Sequence, residues 1–406
     1  MKKILFINAS VYLPGEAALK RTVYLFELAR QKGYEVTFLT SDFNHYFKQK
    51  RNVEEYYKKH PEYKESIKFL PKIPYKKNIS FKRYFSDRNF NAKAYKWFKQ
   101  NAHNYDIVYL SLPASSLAWR MRPVCEANNC KFVIDVNDLW PESLRVVLKK
   151  DWLYKICTHF VMKKVKKGYA GADSIVAVSE EYLNVAKKVN TRHTSSKVVY
   201  IGAMLERFDE GVKQYKGTIN KPENEFWISY SGTIGVSYDI ETVIRAVDVL
   251  NKEGFNNVKF KLFGKGPEEE KLKAVAEQLG NKNVEFCGFM EYEKMAAYLA
   301  VCDVSANCLK QRASQSIINK IADYYAAGKP VLNCGACKEM HDMIEEYDVG
   351  YNYIAEDVND LVAKIKHIMA NPEEAKQKGT NARKLAEDKF DRRKTHLELL
   401  EFLDKV

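Results

Sequence analysis

KFKLFGKGPEEEKLKAVAEQLG, at residues 259–280, is the stretch that decides the fold of this chain. Its first residues have the apolar character of a β-strand, and its last residues have the composition of a helix. Gly264 and Gly266 allow a sharp turn between them and a close approach of the backbone to a ligand. Pro267 suits the first helical position. The unit predicts an α/β fold, although a lone Gly-x-Gly fits an ordinary tight turn equally well.

The same strand–helix alternation extends in both directions from this unit. Short apolar runs separated by helical stretches predict a parallel sheet covered on both faces. The predicted strands are 4–8, 34–40, 107–112, 131–136, 174–178 and 198–201 in the first half, and 227–230, 258–263, 284–287, 304–306 and 331–333 in the second.

Two domains are expected, because 406 residues exceed what one hydrophobic core usually supports. Residues 206–224 have almost no apolar periodicity and are interpreted as the start of the second domain and its linker. We therefore predict two Rossmann-like domains, 1–205 and 206–389, with a C-terminal helix at about 390–406 that packs back on the first. Ligands of such sheets bind at the carboxyl ends of the strands, which predicts a site in the cleft between the domains.

The net charge of +14 is concentrated in two stretches of the first half. Residues 45–104 contain 16 Lys and Arg against 5 Asp and Glu, interleaved with many aromatic residues, and 147–167 contain seven Lys against one Asp. Localised basic patches bind phosphate-rich partners. We interpret 45–104 as a partly helical insertion on the acceptor or membrane side of the first domain.

A second informative stretch is SQSIINKIADYYAAGKP, at 314–330. Gly328 and Pro330 indicate the end of a helix, predicted to begin near residue 316. One face of that helix is polar, and its first turn could bind a diphosphate, assisted by Lys265 from the glycine turn. A solvated helix face is the alternative. The polar residues are Ser316, Asn319, Lys320 and Asp323.

Several motifs in this order resemble the retaining glycosyltransferases of family 4, which have the GT-B fold. DLWPES is similar to a subgroup that builds surface polysaccharides. The motifs are DLWPES at 138–143, ADSIVAVSE at 172–180, YIGAMLERF at 200–208, YSGTIG at 230–235, LFGKGP at 262–267, VEFCGFM at 284–290 and NKIADYYAAGKPVL at 319–332, with Glu339 and Gly350 beyond them.

The resemblance implies a donor site in the second domain. Asp323 takes the place of the family's carboxylate that holds the donor ribose. Lys320 and Lys265 would contact the diphosphate, and Gly232 would lie beneath it at a strand end. Thr233, Gly266, Ser316 and Asn319 complete the predicted donor-binding set.

The chain departs from the family pattern at two places. The family's other signature carboxylate falls on Gln315, and its His-Asp pair falls on Asn137 and Asp138. These three residues are the catalytic candidates. An N-cap of a helix starting near Pro141 is the alternative role for Asp138 and its neighbours Asp135 and Glu142.

The implied reaction is glycosyl transfer with retention, from a UDP- or GDP-linked sugar, without a metal or a further cofactor. The acceptor would be a glycan or a lipid-linked molecule. Its side of the first domain is predicted to include Gly15, Arg21, Lys82, Arg83 and Trp97.

The basic and aromatic composition also predicts a location at the inner face of the cell membrane. The apolar run after Lys3 ends at Asn8, too soon for a signal peptide, and no long apolar run predicts a membrane-spanning helix. We therefore expect a cytoplasmic protein that associates peripherally with anionic lipid. A polyanionic soluble acceptor or a merely solvated face would explain the charge as well; nucleic acid is not favoured, because no recognition motif accompanies the patch.

Two other functions remain open. A nucleotide-sugar epimerase of the same fold would need strong acid–base groups, and His is scarce near the proposed site. A GT-B protein that binds nucleotide or glycan without turnover, as partner to an active subunit, would explain Gln315 and Asn137. The pair Cys334 and Cys337 could form half of a metal or redox site, but structural thiols are the default in a large chain without secretory context.

Overall fold

The computed structural model describes residues 2–16, 20–77, 80–142, 144, 150–190, 192, 194–313 and 316–406. The chain forms two compact units. The first comprises Met1–Val199 and His396–Val406, and the second comprises Tyr200–Thr395.

The first unit contains a seven-stranded parallel sheet in the order β5-β2-β1-β6-β7-β8-β9. A short antiparallel hairpin, β3–β4, follows β2. The strands are buried along most of their length, as expected where helices cover a parallel sheet. Their bounds are β1 Lys3–Ile7, β2 Glu35–Ser41, β3 Phe43–Asn44, β4 Gln49–Lys50, β5 Ile67–Leu70, β6 Ile107–Leu112, β7 Lys131–Val136, β8 Ser174–Ala177 and β9 Ser195–Val198.

Six α-helices lie entirely within the described part of this unit. Three of them have side-chain N-caps: Asn52 caps α2, Ser80 caps α3 and Ser179 caps α6. The helices are α1 Arg21–Gln31, α2 Val53–Lys59, α3 Phe81–Asn101, α4 Ser115–Ala127, α5 Asp151–Ala170 and α6 Glu180–Lys187.

The second unit contains a six-stranded parallel sheet in the order β12-β11-β10-β13-β14-β15. Its strands are β10 Phe226–Ser231, β11 Val258–Phe263, β12 Val284–Gly288, β13 Val304–Cys308, β14 Val331–Cys334 and β15 Gly350–Asn352. Its helices are α7 Leu205–Tyr215, α8 Ile240–Lys252, α9 Glu269–Gln278, α10 Tyr292–Val301, α11 Lys320–Ala326, α12 Lys338–Glu346, α13 Val358–Ala370 and α14 Pro372–Leu385, followed by a π turn, Ala386–Phe390, and by α15, Arg392–Asp404.

Both sheets place the first three strands of their unit in the order 3-2-1 and continue with 4-5-6, which is the Rossmann arrangement. The predicted α/β fold class with two Rossmann-like domains is therefore confirmed. In such sheets the strand order reverses beside the first strand, here beside β1 and beside β10. The carboxyl ends of those two strands are the places to look for ligand sites.

Two expectations about the chain were wrong. Residues 45–104 are not a separate insertion, because they include β5, the edge strand that pairs with β2, and α3. Residues 206–224 are not a featureless linker, because α7 buries Leu205 and Phe208, and its Gly211 lies against the backbone of Glu293. The apolar positions of α7 are too few for the periodicity to be obvious in a stretch rich in Glu and Lys.

The division between the units falls within α15, and the chain ends in the first unit. Leu399, Leu400 and Leu403 lie in the same apolar core as β1 and β6 residues such as Phe6 and Tyr109. Burying leucine side chains contributes roughly 1.5–3 kcal/mol each. This packing ties the C-terminal residues to the first unit.

Candidate functional site

The loops after β10 and β11 meet backbone to backbone at the carboxyl end of the second sheet. A Cβ atom added at Gly264 would lie 2.0 Å from the carbonyl oxygen of Gly232, and one at Gly266 would lie 2.1 Å from that of Ile234. Gly264 also has a φ of +137°, which side chains disfavour. The glycine turn therefore exists at least in part for loop packing, the alternative that the sequence left open.

Lys320, the first residue of α11, is buried beneath this glycine pair. Its Nζ lies 3.7 Å from the centroid of the Tyr230 ring and 4.0 Å from that of Tyr238, and it has no hydrogen-bond partner among the described residues. A Cβ at Gly232 would lie 3.3 Å from the same Nζ. Burial lowers the pKa of Lys320 to about 7. An ammonium group that no carboxylate in the described ranges neutralises is thus held at the end of β10, facing Gly232.

Asp323 lies one turn further along α11. Its Oδ1 accepts a hydrogen bond of 2.7 Å from the hydroxyl of Tyr292, the first residue of α10. Burial raises the pKa of Asp323 to about 6, against the opposing effects of Tyr292 and of the positive charge of Arg392. Its Oδ2 has no hydrogen-bond partner in the described part of the chain. A carboxylate with one oxygen fixed and the other available can accept a hydroxyl group.

The other predicted donor residues lie around these two. Thr233 and Lys265 are exposed in the loops after β10 and β11. Ser316 and Asn319 do not share a helix face with Lys320, because α11 begins only at Lys320. Ser316 is buried instead, 3.7 Å from the sulfur of Cys337, whereas Asn319 is exposed.

The predicted helix start at residue 316 was therefore wrong. Ile317, Ile321 and Tyr325 are buried as expected, so the apolar pattern was sound although the boundary was not. Gln315 lies outside the described residues. The two cysteines of the C-x-x-C have structural contacts: Cys334 Sγ lies 3.3 Å from the carbonyl oxygen of Leu309, and Cys337 Sγ accepts the N–H of Met340 at the start of α12.

In the first unit, Arg21 forms a buried ion pair at the centre of the sheet. Its Nε lies 3.1 Å from Oδ2 of Asp135, a residue of β7, and its guanidinium also donates to the carbonyl oxygen of Val199. Burial and the Asp135 charge raise the pKa of the neighbouring Tyr109 hydroxyl. Arg21 is 5% exposed, so the prediction that it faces an acceptor or a membrane was wrong. The pair instead fixes α1 against β7.

Asn137 and Asp138 follow β7 at the carboxyl end of the first sheet. Asn137 donates from Nδ2 to the carbonyl oxygen of Asp135, at 3.1 Å. The side chain of Asp138 is exposed on one side, but protein around it removes water and raises its pKa; the N–H of Leu139 and the charge of Arg83 oppose that rise. A 3-10 turn follows directly, in which Glu142 and Leu144 are helical and the N–H of Leu144 donates to the carbonyl oxygen of Pro141 at 2.9 Å. The N-cap alternative for Asp138 therefore stays a prediction.

The remaining acceptor-side candidates are dispersed. Gly15 has a φ of +83° and packs against His60, so its glycine character is structural. Lys82 is exposed and Arg83 partly exposed in the first turn of α3. Trp97 lies near the other end of α3, about 20 Å from them at the rise of an α-helix. The structure therefore brings Arg83 and Asp138 together and leaves Trp97 apart.

A family model of known proteins matches each of the two units. Residues 21–207 match the model described as Glycosyltransferase Family 4, and 212–385 match the model described as Glycosyl transferases group 1. The first unit is thus similar to the family 4 glycosyltransferases and the second to the group 1 glycosyl transferases. WcaI of Escherichia coli K12, a glycosyl transferase assigned to colanic acid biosynthesis, is 26% identical over 236 residues. That match spans 56% of this chain and 56% of WcaI.

Solved structures show that this chain has the GT-B fold. HepE of Anabaena, crystallised with UDP, matches with a TM-score of 0.70 at 17% identity over 100% of both chains. WaaG, a glycosyltransferase involved in lipopolysaccharide biosynthesis, matches with a TM-score of 0.66 at 14% identity over 97% of this chain and 98% of WaaG. Sucrose-phosphate synthase from Thermosynechococcus elongatus matches with a TM-score of 0.72 at 15% identity, over 100% and 99%.

Sequence reasoning missed the aromatic residues that build this candidate site. Tyr230 and Tyr238 surround the ammonium group of Lys320, and Tyr292 orients Asp323. Tyr230 stood within the quoted YSGTIG motif, but a tyrosine in a strand is usually read as core. Tyr292 gave no signal, because its contact joins positions 31 residues apart.

Proposed function

We propose that this chain transfers a sugar from a nucleoside diphosphate sugar to a glycan or lipid-linked acceptor, with retention of anomeric configuration and without a metal. The observation that supports this most strongly is Lys320, a buried ammonium group at the end of β10 that has no counter-charge among the described residues. Burying an uncompensated charge is costly, so such a residue is retained where a ligand supplies the opposite charge. A diphosphate is that kind of ligand.

Asp323 supports a nucleotide rather than inorganic diphosphate as the ligand. Its Oδ1 is held by Tyr292, which leaves Oδ2 to accept a ribose hydroxyl. Gly232 supplies the space above Lys320, since it carries no side chain. Lys265, which is exposed in the adjoining loop, adds a second positive charge. Asp323 would thus bind the ribose of a nucleoside diphosphate, and Lys320 and Lys265 would bind its diphosphate.

The transfer itself needs little from protein acids and bases. The bond between the anomeric carbon and the diphosphate oxygen breaks, and a bond from that carbon to the acceptor oxygen forms on the same face. The acceptor proton passes to the departing diphosphate. Lys320 stabilises the negative charge that develops there, an effect worth roughly 10²–10³ in rate for one well-placed donor. Asn137 and Asp138 would position the acceptor.

The names of the relatives suggest which donor and acceptor to test first. HepE has been crystallised with UDP and with UDP-glucose. WcaI is assigned to colanic acid biosynthesis, and WaaG is involved in lipopolysaccharide biosynthesis. We therefore propose a UDP-linked sugar as donor, with a GDP-linked sugar next, and a surface-polysaccharide intermediate as acceptor.

The test is the slow hydrolysis of the donor that glycosyl transfer to water would cause. In a panel of UDP- and GDP-linked hexoses, we expect one donor to be consumed, and proton NMR in the first minutes to show the released sugar with the donor's anomeric configuration. The Lys320→Met and Asp323→Ala variants serve as blanks. An inverted product would contradict retention, and consumption no faster than in the blanks would contradict the transferase itself.

We also propose that the first unit binds the inner face of the cell membrane. No helix in the described ranges is long and apolar enough to cross a bilayer. On α5, however, Trp152, Ile156 and Phe160 are 61%, 66% and 77% exposed at a spacing of four residues, so they form one apolar stripe. Exposed lysines follow on the same helix, at 163, 166 and 167. Apolar side chains flanked by lysine are what an anionic interface binds.

A second exposed apolar group supports the same face. Phe81 and Phe85 lie at the start of α3 and are exposed. Because helices between parallel strands run antiparallel to them, α3 and α5 both begin at the carboxyl edge of the first sheet. Asp138 lies at that edge too. A membrane contact there would place a lipid-linked acceptor next to the proposed acceptor side.

Replacing the α5 stripe by serine, at Trp152, Ile156 and Phe160, should lower the fraction of protein that sediments with phosphatidylcholine–phosphatidylglycerol vesicles. We expect the apparent affinity to fall by about tenfold or more, since three apolar side chains that would insert into the interface are lost. The matched control replaces three exposed apolar residues of the second unit, Val236, Phe289 and Ile354. Equal losses in both variants would contradict the proposed membrane face.

A further inference from the structure

Four cationic side chains of the first unit converge on a small group of aromatic rings. Nζ of Lys48, Nζ of Lys72 and Cζ of Arg83 lie 5.1, 5.5 and 6.0 Å from the centroid of one ring, that of Tyr75. We name the four residues the cationic cluster: Lys20, Lys48, Lys72 and Arg83.

His45 shows how positive this environment is. Its Nδ1 lies 2.5 Å from the hydroxyl of Tyr75, and its ring centroid lies 5.0 Å from that of Tyr46, over which Nζ of Lys20 sits at 3.8 Å. Burial first, and then the charges of all four members of the cationic cluster, lower the pKa of His45 to about 3. The imidazole is therefore neutral at physiological pH, because the four neighbouring cations and burial disfavour a fifth positive charge.

The members of the cationic cluster also repel one another. Burial lowers the pKa of Lys48, and the charges of Arg83 and Lys72 lower it further. The pKa of Lys72 is lowered by burial and by Arg83, even though Asp87 lies 2.7 Å from its Nζ. Asp87 also lies 3.5 Å from Nε of Arg83. The nearby carboxylate thus does not offset the desolvation and mutual repulsion, and a bound anion would relieve both.

The cationic cluster is built by four segments at one edge of the sheet. Lys20 precedes α1 in the connection after β1, Lys48 lies in the β3–β4 hairpin after β2, Lys72 follows β5, and Arg83 opens α3. Lys48 has a φ of 57°, a left-handed conformation that residues with a side chain rarely adopt. Arg83 is close enough to Asp138 to lower its pKa. The cluster therefore adjoins the proposed acceptor side.

We propose that the cationic cluster binds a phosphate or diphosphate group carried by the acceptor. Lys20 is exposed and Lys48 and Arg83 are partly exposed, so a ligand can reach them, with Lys72 buried beneath. The inference rests on the proposed function in one respect: that function places the donor diphosphate at Lys320 of the second unit. Because the donor diphosphate is assigned to the second unit, an anion site in the first unit would bind the acceptor.

The test is calorimetric titration with inorganic pyrophosphate in the presence of saturating UDP, which occupies the donor site. We expect binding to the wild type, and binding weaker by about tenfold or more in the double variant Lys48→Ala and Arg83→Ala, since two charge-assisted contacts are lost. The matched control, Lys96→Ala and Lys99→Ala, removes two exposed cations from the far end of α3 and should bind within about twofold of the wild type. The charge-retaining variant Lys48→Arg and Arg83→Lys should keep most of the affinity, which shows that loss of folding is not the cause.

The source of the phosphate is decided by competition. Displacement of pyrophosphate by vesicles that contain a polyprenyl diphosphate, but not by vesicles with the same fraction of phosphatidylserine, supports a lipid-linked acceptor; displacement by a soluble sugar phosphate alone supports a soluble one. No binding of pyrophosphate, or equal binding to the Ala and control variants, overturns the inference. A separate titration with UDP alone tests the donor site. If UDP did not bind, the proposed function would be refuted. The difference in pyrophosphate binding between the Ala and control variants would still show whether the cationic cluster binds an anion.

Discussion

Replacing Lys320 by methionine is expected to abolish binding of UDP and at the same time to stabilise the protein. The variant removes a buried ammonium group that is held over two tyrosine rings and has no hydrogen-bond partner among the described residues. Methionine fills similar space without a charge to desolvate. We expect a gain on the order of 1 kcal/mol in the free energy of unfolding and a loss of roughly 10²-fold or more in kcat/KM.

The gain in stability should depend on pH in a defined direction. The pKa of Lys320 falls from an ordinary value of 10.5 to about 7 in the folded protein. Between these values the unfolded state binds a proton that the folded state does not, so the wild type loses stability as the pH falls from 10.5 towards 7. The advantage of Lys320→Met should therefore be largest near and below pH 7 and should disappear above pH 10.5.

Lys261→Met is the matched control for this variant. Lys261 is also buried over an aromatic ring, that of Trp227, at 4.0 Å, but its Nζ forms an ion pair of 2.6 Å with Glu285. Its replacement should leave UDP binding unchanged and should not stabilise the protein. If Lys320→Met unfolds at lower denaturant concentration than the wild type at pH 7, or binds UDP normally, the role assigned to Lys320 is wrong.

Gly264→Ala is expected to destabilise the second unit by about 3 kcal/mol or more and to eliminate UDP binding with it. The new Cβ would lie 2.0 Å from the carbonyl oxygen of Gly232, and a φ of +137° is unfavourable for alanine by itself. The two loops would have to separate, and Gly232 would leave its position above Lys320. Guanidinium unfolding curves and calorimetry with UDP measure both effects.

Gly280→Ala separates the backbone effect from the clash. Gly280 also has a positive φ, +65°, but nothing lies within 4 Å of an added Cβ. We expect it to cost about 1 kcal/mol and to leave UDP binding intact. If Gly264→Ala unfolded at the same guanidinium concentration as Gly280→Ala, the loops after β10 and β11 would not be packed as described.

Periodicity predicted most of the fold, because buried parallel strands are apolar runs that need no long-range information to be recognised. Strands such as Ile107–Leu112 and Val258–Phe263 were predicted with the bounds that the structure has. β5 was not, because an edge strand carries lysine and its identity depends on pairing with β2, far away in the chain. α7 was missed for a related reason, since its partner α10 begins 77 residues after its own last residue.

The site could be predicted only in part. The glycine turn after β11 gave Gly264, and the family resemblance gave Gly232 and Lys320, whose roles stay predictions. Arg21 was placed on the surface, since nothing near it in the sequence reveals its partner Asp135, which is 114 positions away. The cationic cluster also needed the structure, because its four members come from four separate segments. Whether Gln315 and Asp138 act in the reaction stays a prediction.

The most direct test of the donor site is a calorimetric titration of UDP, GDP and ADP into the wild type and into Asp323→Ala. Asp323 is chosen because its fixed Oδ1 and available Oδ2 belong to the proposed contact with ribose. The account predicts micromolar binding of one nucleotide, UDP first, and its loss in the variant. Failure of all three nucleotides to bind the wild type, or equal binding to both proteins, would contradict it.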